Sequence, residues 1–284
     1  MGKDLAEIAS HSEIRSMLLS DEIKAIQLEI LSAIDAFCRQ NVLRYSLAYG
    51  TLIGAVRHKG YIPWDDDIDL LMPRPDYDKF LETFHSEQCE VLDLSKSNVC
   101  VETFTKVCRK GTVMVDRELG RALWGVNVDI FPIDGAPESG LEDYFAAMCR
   151  KREWISRLCP FYKVVGKNKL RWFVKYCLKR LRYPRLGNCA DVKSAINADL
   201  RTCRFEESPL AGAYFGDDEI REFMPREWFE TYSELEFEGK IFPVIAHYDD
   251  YLKRLYGDYM QLPPEEQRVT HHLYDVYTTE AFNG

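Results

Sequence analysis

The 284-residue chain has no run of about 20 apolar residues, the length a membrane span needs, and its mean hydropathy is −0.31. Its opening stretch, Met1-Gly-Lys-Asp-Leu-Ala-Glu-Ile8, carries an early acid and no apolar core, so it does not read as a secretory leader. Nine cysteines are present, with no Cys-x-x-Cys pair and no ligand-like spacing, which argues against zinc. Their odd number and scattered positions suit buried thiols in a reducing compartment. Excess positive charge is also lacking: 37 Lys and Arg stand against 46 Asp and Glu, a formal charge of −9. General nucleic-acid binding, which wants a basic face, is therefore not expected. Internal repeats, flexible linkers and low-complexity tracts are missing too. What remains is a soluble, cytoplasmic chain, at most peripheral to a membrane. Its 46% hydrophobic and 13% aromatic residues suffice for one large core or two small ones.

The chain is organised around Tyr45 to Met72, which reads as strand, glycine turn, short helix, loop and acidic strand. Tyr45–Tyr49 is the first short strand, and Gly50 ends it. The Gly50-Thr51 turn leads into a helical stretch, so backbone N–H groups and a hydroxyl should face outward where phosphate binds well. Arg57, His58 and Lys59 follow as a basic run. Trp64 then leads into Asp65-Asp66-Asp67-Ile68-Asp69-Leu70-Leu71-Met72. Residues two apart on a strand share a face, so Asp67 and Asp69 should point together, with Ile68 and Leu70 in the opposite layer.

Four carboxylates within five residues repel one another. A solvated strand end or a weak Ca2+ loop would account for them. This cluster, however, runs straight into Leu70-Leu71-Met72, and carboxylates that enter a core usually hold a cation. Oxygen-only ligands suit Mg2+ or Mn2+.

The stretch from Gly50 to Asp69 (Gly-Thr-Leu-Ile-Gly-Ala-Val-Arg-His-Lys-Gly-Tyr-Ile-Pro-Trp-Asp-Asp-Asp-Ile-Asp) closely resembles the signature of the LicD family. That family belongs to the nucleotidyltransferase-fold superfamily and is related to the fukutin-type phosphotransferases. Val128-Asp-Ile-Phe-Pro-Ile-Asp134 and Tyr256-Gly-Asp-Tyr-Met-Gln-Leu-Pro-Pro-Glu-Glu-Gln-Arg268 are further echoes. Thr51 stands where the superfamily more often has Ser, which keeps the hydroxyl. The resemblance implies an α/β (α+β) fold, with a nucleotidyltransferase-like mixed sheet, flanking helices and a helical insertion. It also implies that Asp129 is the third carboxylate beside Asp67 and Asp69, all three serving as metal ligands and catalytic residues.

Along the rest of the chain, residues 1–20 read as a polar arm and 21–135 as the nucleotidyltransferase core. Residues 136–210 read as a helical insertion, and 211–284 as a segment returning to the core. Ile23, Ile26, Ile30, Ile34 and Phe37 recur at helical spacing, predicting an amphipathic helix over about 21–40 with Ser20 as its N-cap. Helices are also expected over 76–84, 141–158, 191–203 and 248–256. Strands are expected at 89–94, 99–107, 112–116 and 124–132, and a hairpin turning at Gly239. On 124–132, Asn127, Asp129 and Phe131 should share a face. Asp134, in Pro-Ile-Asp-Gly, reads as a structural turn residue. Lys106, Arg109 and Lys110 form either a solvated hairpin end or a contact for donor phosphates. From Lys163 to Arg185, nine basic residues occur without an acid. That pattern suits a packed amphipathic helix with a solvated basic face, or one touching anionic lipid or a lipid-linked acceptor. His271 and His272 read as surface residues, or as contacts to donor or acceptor.

The resemblance also implies a reaction: transfer of phosphocholine from CDP-choline, or of a related polyol phosphate from its CDP donor, to a hydroxyl of a cell-surface glycan, releasing CMP. In that reading Gly50 and Thr51 cradle the phosphates, Arg57 or His58 adds positive charge, Lys106 contacts the donor, and Asp129, or an ion it holds, helps remove the acceptor proton. Tyr49, Tyr61 and Trp64 offer faces to a quaternary ammonium, although core packing explains them equally well. A glycosyltransferase using an NDP-sugar, a nucleotidyltransferase using an NTP, and a non-catalytic nucleotide- or glycan-binding protein stay open as rivals.

Overall fold

The computed structural model describes residues 14–97, 102–117, 121–158, 189–214, 219–269 and 274–279. In chain order the elements are β1 (Ile14–Met17), α1 (Ser20–Asn41), β2 (Ser46–Leu47), α2 (Tyr49–Arg57), β3 (Asp69–Pro73), α3 (Arg74–Thr83) and β4 (Cys89–Asp93). There follow β5 (Thr105–Arg109), β6 (Thr112–Asp116), β7 (Arg121–Ala122), β8 (Asn127–Ala136), α4 (Leu141–Leu158) and α5 (Cys189–Leu200). The last are β9 (Leu210–Ala213), β10 (Met224–Pro225), β11 (Tyr232–Phe237), β12 (Lys240–Ile245), α6 (Tyr248–Tyr256) and β13 (Tyr274–Thr279). Helices and sheets together make an α+β fold, as expected. The basic run at 163–185 and the pair His271-His272 lie outside the described residues. Among the described residues no helix is long and apolar enough to cross a membrane.

The chain divides into two units. The first comprises 1–92, 106–131 and 227–284. In it α1 buries Ile26, Ile30, Leu31 and Ile34 along one stripe, as the helical spacing of apolar residues requires. Its start differs from expectation. Leu19, not Ser20, is the N-cap, and its N–H donates to the Glu22 carboxylate at 2.7 Å. Strand β2 pairs antiparallel with β3, and β3 lies beside β8. The start of β8 is tied to the end of the acidic loop, where the Asp129 N–H donates to Ile68 O at 2.9 Å. Strand β5 pairs with both β4 and β8. A second, antiparallel sheet runs β1–β13–β6–β7. Residues 14–17, expected within a polar arm, are thus an edge strand on β13. The hairpin β11–β12 turns through Glu238 and Gly239, both with positive φ (50° and 71°). That is the two-residue turn whose twist matches its strands.

The second unit comprises 93–105 and 132–226. The second half of β8 pairs with β9, and β9 with β10. Helices α4 and α5 enclose Ala136, Met148, Ile155, Ile196, Leu200 and Phe223. The Pro-Ile-Asp-Gly stretch is not a turn. Ile133 to Ala136 are regular ladder partners of β9, and Asp134 is buried. Gly135 belongs in that strand because a side chain there would meet the backbone oxygens of Cys203 and Arg204 at 2.7 Å.

Candidate active site

The site lies in the first unit, where α2, the acidic loop before β3, and the start of β8 converge. Strand β2 is shorter than expected, and Tyr49 already belongs to α2, with a positive φ of 45°. Gly50 and Thr51 therefore sit inside the first turn of α2 rather than in a turn before it. This helical start grips the acidic strand through its backbone. The Ala48 N–H donates to Asp69 O at 3.0 Å, and the Asp69 N–H donates to Thr51 Oγ1 at 2.9 Å. Thr51 is buried, and its hydroxyl positions Asp69. Gly50 gives room: a Cβ at that position would stand 2.5 Å from Asp65 Oδ2.

From the other side α1 holds the loop. Gln27, 1% exposed in the apolar stripe, donates from Nε2 to Asp66 O at 2.8 Å, and Tyr61 Oη donates to Gln27 Oε1 at 3.1 Å. The sequence reading missed Gln27. The signal for it was a polar residue on the buried face between Ile26 and Ile30.

The carboxyls feel one another strongly. Burial, then the Asp67 charge and a hydrogen bond with Asp67, push Asp65 up to about 7. Asp69 is held well above the ordinary carboxyl range by burial, then by Asp67, Asp129 and Asp65. Burial also raises Asp129, while Lys106 opposes the rise. Asp67, Asp69 and Asp129 are thus electrostatic neighbours, and Asp129 faces the acidic loop. Its carboxylate is tightly engaged. Lys106 Nζ donates to both oxygens at 2.7 and 2.6 Å, and Asn127 Nδ2 donates to Oδ1 at 2.5 Å. Lys106 is buried, with its ammonium 4.8 Å from the centre of the Trp124 ring. Asn127 was missed as well, although it shares the Asp129 face as the strand period requires. Tyr274 on β13 is a third missed neighbour. Burial, and then the charges of Asp66, Asp67, Asp129 and Asp65, raise its phenol.

Arg109 and Lys110, which follow Lys106, both have partners within the chain. Arg109 is buried and donates to Gln88 Oε1 at 2.8 Å, with Glu29 at 3.3 Å. Lys110 Nζ donates to the carbonyls of Ser86 and Glu87. Arg57 Nε donates to His58 Nε2 at 2.9 Å, so His58 is an acceptor here and not a second cation. Burial, followed by Arg57, lowers its pKa accordingly. The aromatics are mostly engaged. The Tyr49 ring packs on Phe131 and Tyr251, Lys24 lies over the Tyr61 ring, and Arg268 lies over Trp64.

An oxygen-only donor set, clustered so that its carboxyls raise one another's pKa, fits a hard divalent cation in its chemistry. Among the described residues no three His, Cys, Asp or Glu side chains are set around one point as a finished metal site. The Asp129 carboxylate is engaged by Lys106.

Comparison with known proteins decides the family. The family described as "LicD/FKTN/FKRP, nucleotidyltransferase domain" matches residues 42–162. The lipopolysaccharide cholinephosphotransferase LicD of Haemophilus influenzae is 32% identical over 272 residues, which covers 90% of this chain and 97% of that protein. The chain belongs to the LicD family. Uncharacterized proteins of Rickettsia typhi and Rickettsia prowazekii are each 36% identical over 62 residues. That stretch is 22% of this chain and 20% and 23% of theirs. For a LicD-family chain, Asp67, Asp69 and Asp129 stand together in the unit that carries the matched signature.

Proposed function

We propose that this protein is a metal-dependent transferase that moves phosphocholine from CDP-choline to a hydroxyl of a cell-surface glycan and releases CMP. The observation that carries the reading is its similarity, over nearly the whole length of both chains, to a cholinephosphotransferase. The cluster of Asp67, Asp69 and Asp129 in the expected unit adds to it.

Asp67, Asp69 and Asp129 would hold Mg2+ or Mn2+, with Asp129 shared between the ion and Lys106. When bound, the ion neutralises diphosphate charge and polarises the scissile P–O bond. The chain's own residues do the rest. Thr51 and Ala48 fix the Asp69 backbone, and Gln27 fixes that of Asp66, so the carboxylates are set before substrate arrives. Lys106 and Asn127 orient the Asp129 carboxylate. The acceptor hydroxyl attacks the phosphorus that carries choline, and its proton passes to Asp129. The P–O bond to CMP breaks, and the CMP phosphate takes the electron pair. The N-terminal turn of α2, with Gly50, lies beside the phosphates, and Arg57 adds charge. His271 and His272 join the donor or acceptor contacts. The basic run from Lys163 to Arg185 suits an anionic surface, consistent with work on a lipid-linked glycan at the inner face of the membrane.

The test is incubation with CDP-choline, CDP-ribitol, CDP-glycerol or CTP, each with Mg2+ or Mn2+ and a glycan acceptor. CMP release from CDP-choline, dependent on acceptor and metal, is the expected result. Pyrophosphate release from CTP would mark a nucleotidyltransferase instead, and CMP from CDP-ribitol alone would move the donor to a polyol phosphate.

A further inference from the structure

The acidic loop has a positive counterpart. Arg57, at the end of α2, donates from Nη1 to Tyr259 O at 2.6 Å, and Gln261 O lies 3.5 Å away. Arg268 donates from Nε to Pro263 O at 2.8 Å, and its guanidinium lies 5.6 Å from the centre of the Trp64 ring. Both arginines thus brace the same short segment, 259–268. One stands on the residue immediately before Asp65.

Neither arginine has a carboxylate partner among the described residues. Nη2 of Arg57 and both terminal nitrogens of Arg268 have no hydrogen-bond acceptor there either. Yet both are half-buried, in a chain with 46 acidic residues. Burial, and then the charge of Arg268, lower the Arg57 pKa, so the two cations sense each other. Two like charges that sense each other, both braced on the segment 259–268 by main-chain carbonyls and with terminal donors unspent, cost free energy in the empty protein. An arginine pair so arranged is built to receive a planar or tetrahedral oxyanion.

We propose that Arg57 and Arg268 form a two-arginine clamp for the diphosphate of the donor. Segment 259–268 forms one wall of the donor site, and Trp64 holds Arg268 in place. This rests on the reading of the protein as a nucleotide-diphosphate-dependent transferase, and it adds Arg268 and the segment 259–268 to the residues that do the work. The clamp reads phosphate charge and leaves the base and the choline group to other residues.

The test is titration calorimetry with inorganic pyrophosphate, at low and high salt, with chelator and then with Mg2+. The full-length wild type is compared with Arg268→Gln, Arg268→Lys, Arg57→Gln and, as a control of equal charge change, Lys240→Gln. Lys240 donates to Ser32 Oγ on the flank of α1. The clamp predicts salt-dependent binding by wild type and control. It predicts affinity about tenfold or more weaker in Arg268→Gln, the loss expected for a charge-assisted hydrogen bond. Arg268→Lys should recover part of that loss, and thermal melts should be nearly unchanged. Should Arg57→Gln unfold because Tyr259 O loses its donor, the Arg268 pair decides alone. Equal binding by wild type and Arg268→Gln, or no pyrophosphate binding by wild type under any condition, overturns the clamp. Arg268-dependent pyrophosphate binding without CMP release from any CDP donor would keep the clamp and remove the transferase reading.

Discussion

The acidic loop, 65–69, and the arginine pair, Arg57 and Arg268, are held in opposite ways. The acids are anchored by main chain: Gln27 to Asp66 O, Thr51 to the Asp69 N–H, and Asp129 N–H to Ile68 O. Their carboxylates are left to press on one another. The arginines are anchored by their own side chains, on Tyr259 O and Pro263 O, and present spare donors. In both places like charges are held near one another. Such an arrangement costs stability in the empty protein and is relieved by binding. On the proposed reading the two walls take opposite signs, a cation on one side and a phosphate group on the other. A metal-bound diphosphate carries both. Lys106 breaks the symmetry, because it already offsets one of the carboxylates.

Breaking the acidic wall should have the largest effect. Asp69→Asn or Asp67→Asn should lower CMP release by on the order of 10²–10³-fold, as loss of a preorganised charge-stabilising group does. Melting of the metal-free protein should hold or rise, because a repulsive charge is gone. Turnover close to wild type at saturating metal would remove these carboxylates from the mechanism. Next comes the packing that carries both walls. A side chain on Gly54 would collide with the backbone oxygen of Gly60, in the loop leading to Trp64. Gly54→Ala should therefore cost about 1–3 kcal/mol, the usual range for overpacking, read by denaturant melts. Gly50→Ala should cost less stability, since it meets only the movable Asp65 carboxylate, yet it should slow turnover by displacing that group.

A smaller effect is expected at Gln27. Gln27→Leu removes the hydrogen bond to the Asp66 carbonyl and should cost about 1–2 kcal/mol, with a several-fold loss of turnover. Gln27→Glu should not rescue it, because a carboxylate cannot donate. The smallest effect is a pH slope. Asp65 has its pKa raised to about 7 in the folded chain. The native state therefore binds that proton more tightly than the unfolded chain does, and stability falls as pH rises from about 4 toward 7. Asp65→Asn, or a saturating divalent cation, should flatten this slope in thermal melts. A slope equally steep in all three samples would show that the repulsion in the loop is not its source.

Much of this was legible in the chain. Asp67, Asp69 and Asp129 were expected together from strand spacing and from resemblance to a family signature, and they are electrostatic neighbours; strand β6, helix α4 and the hairpin at Gly239 fell where local pattern put them. Local signals failed where a partner lies far off in sequence. Lys106 reads as one of three surface cations until Asp129, 23 residues on, is placed against it. Gln27 interrupts an apolar stripe for a reason found 39 residues away. Asp134 was misread because Pro132 and Gly135 mimic a turn. The close approach of Ser208 Oγ and of the Cys203 and Arg204 backbone explains a glycine inside that strand.

The hairpin at Gly239 has a consequence for timing. The Glu238 N–H donates to Lys59 O at 2.9 Å, and its carboxylate accepts from the Tyr61 N–H at 3.0 Å, a contact spanning 177 residues. The Arg57 contact to Tyr259 spans 202. The whole acidic motif thus leaves the ribosome long before the residues that latch its approach loop exist. Contacts so distant along the chain form late and slowly. A growing chain carries its cluster of negative charge without these latches until Glu238 and Tyr259 have been made.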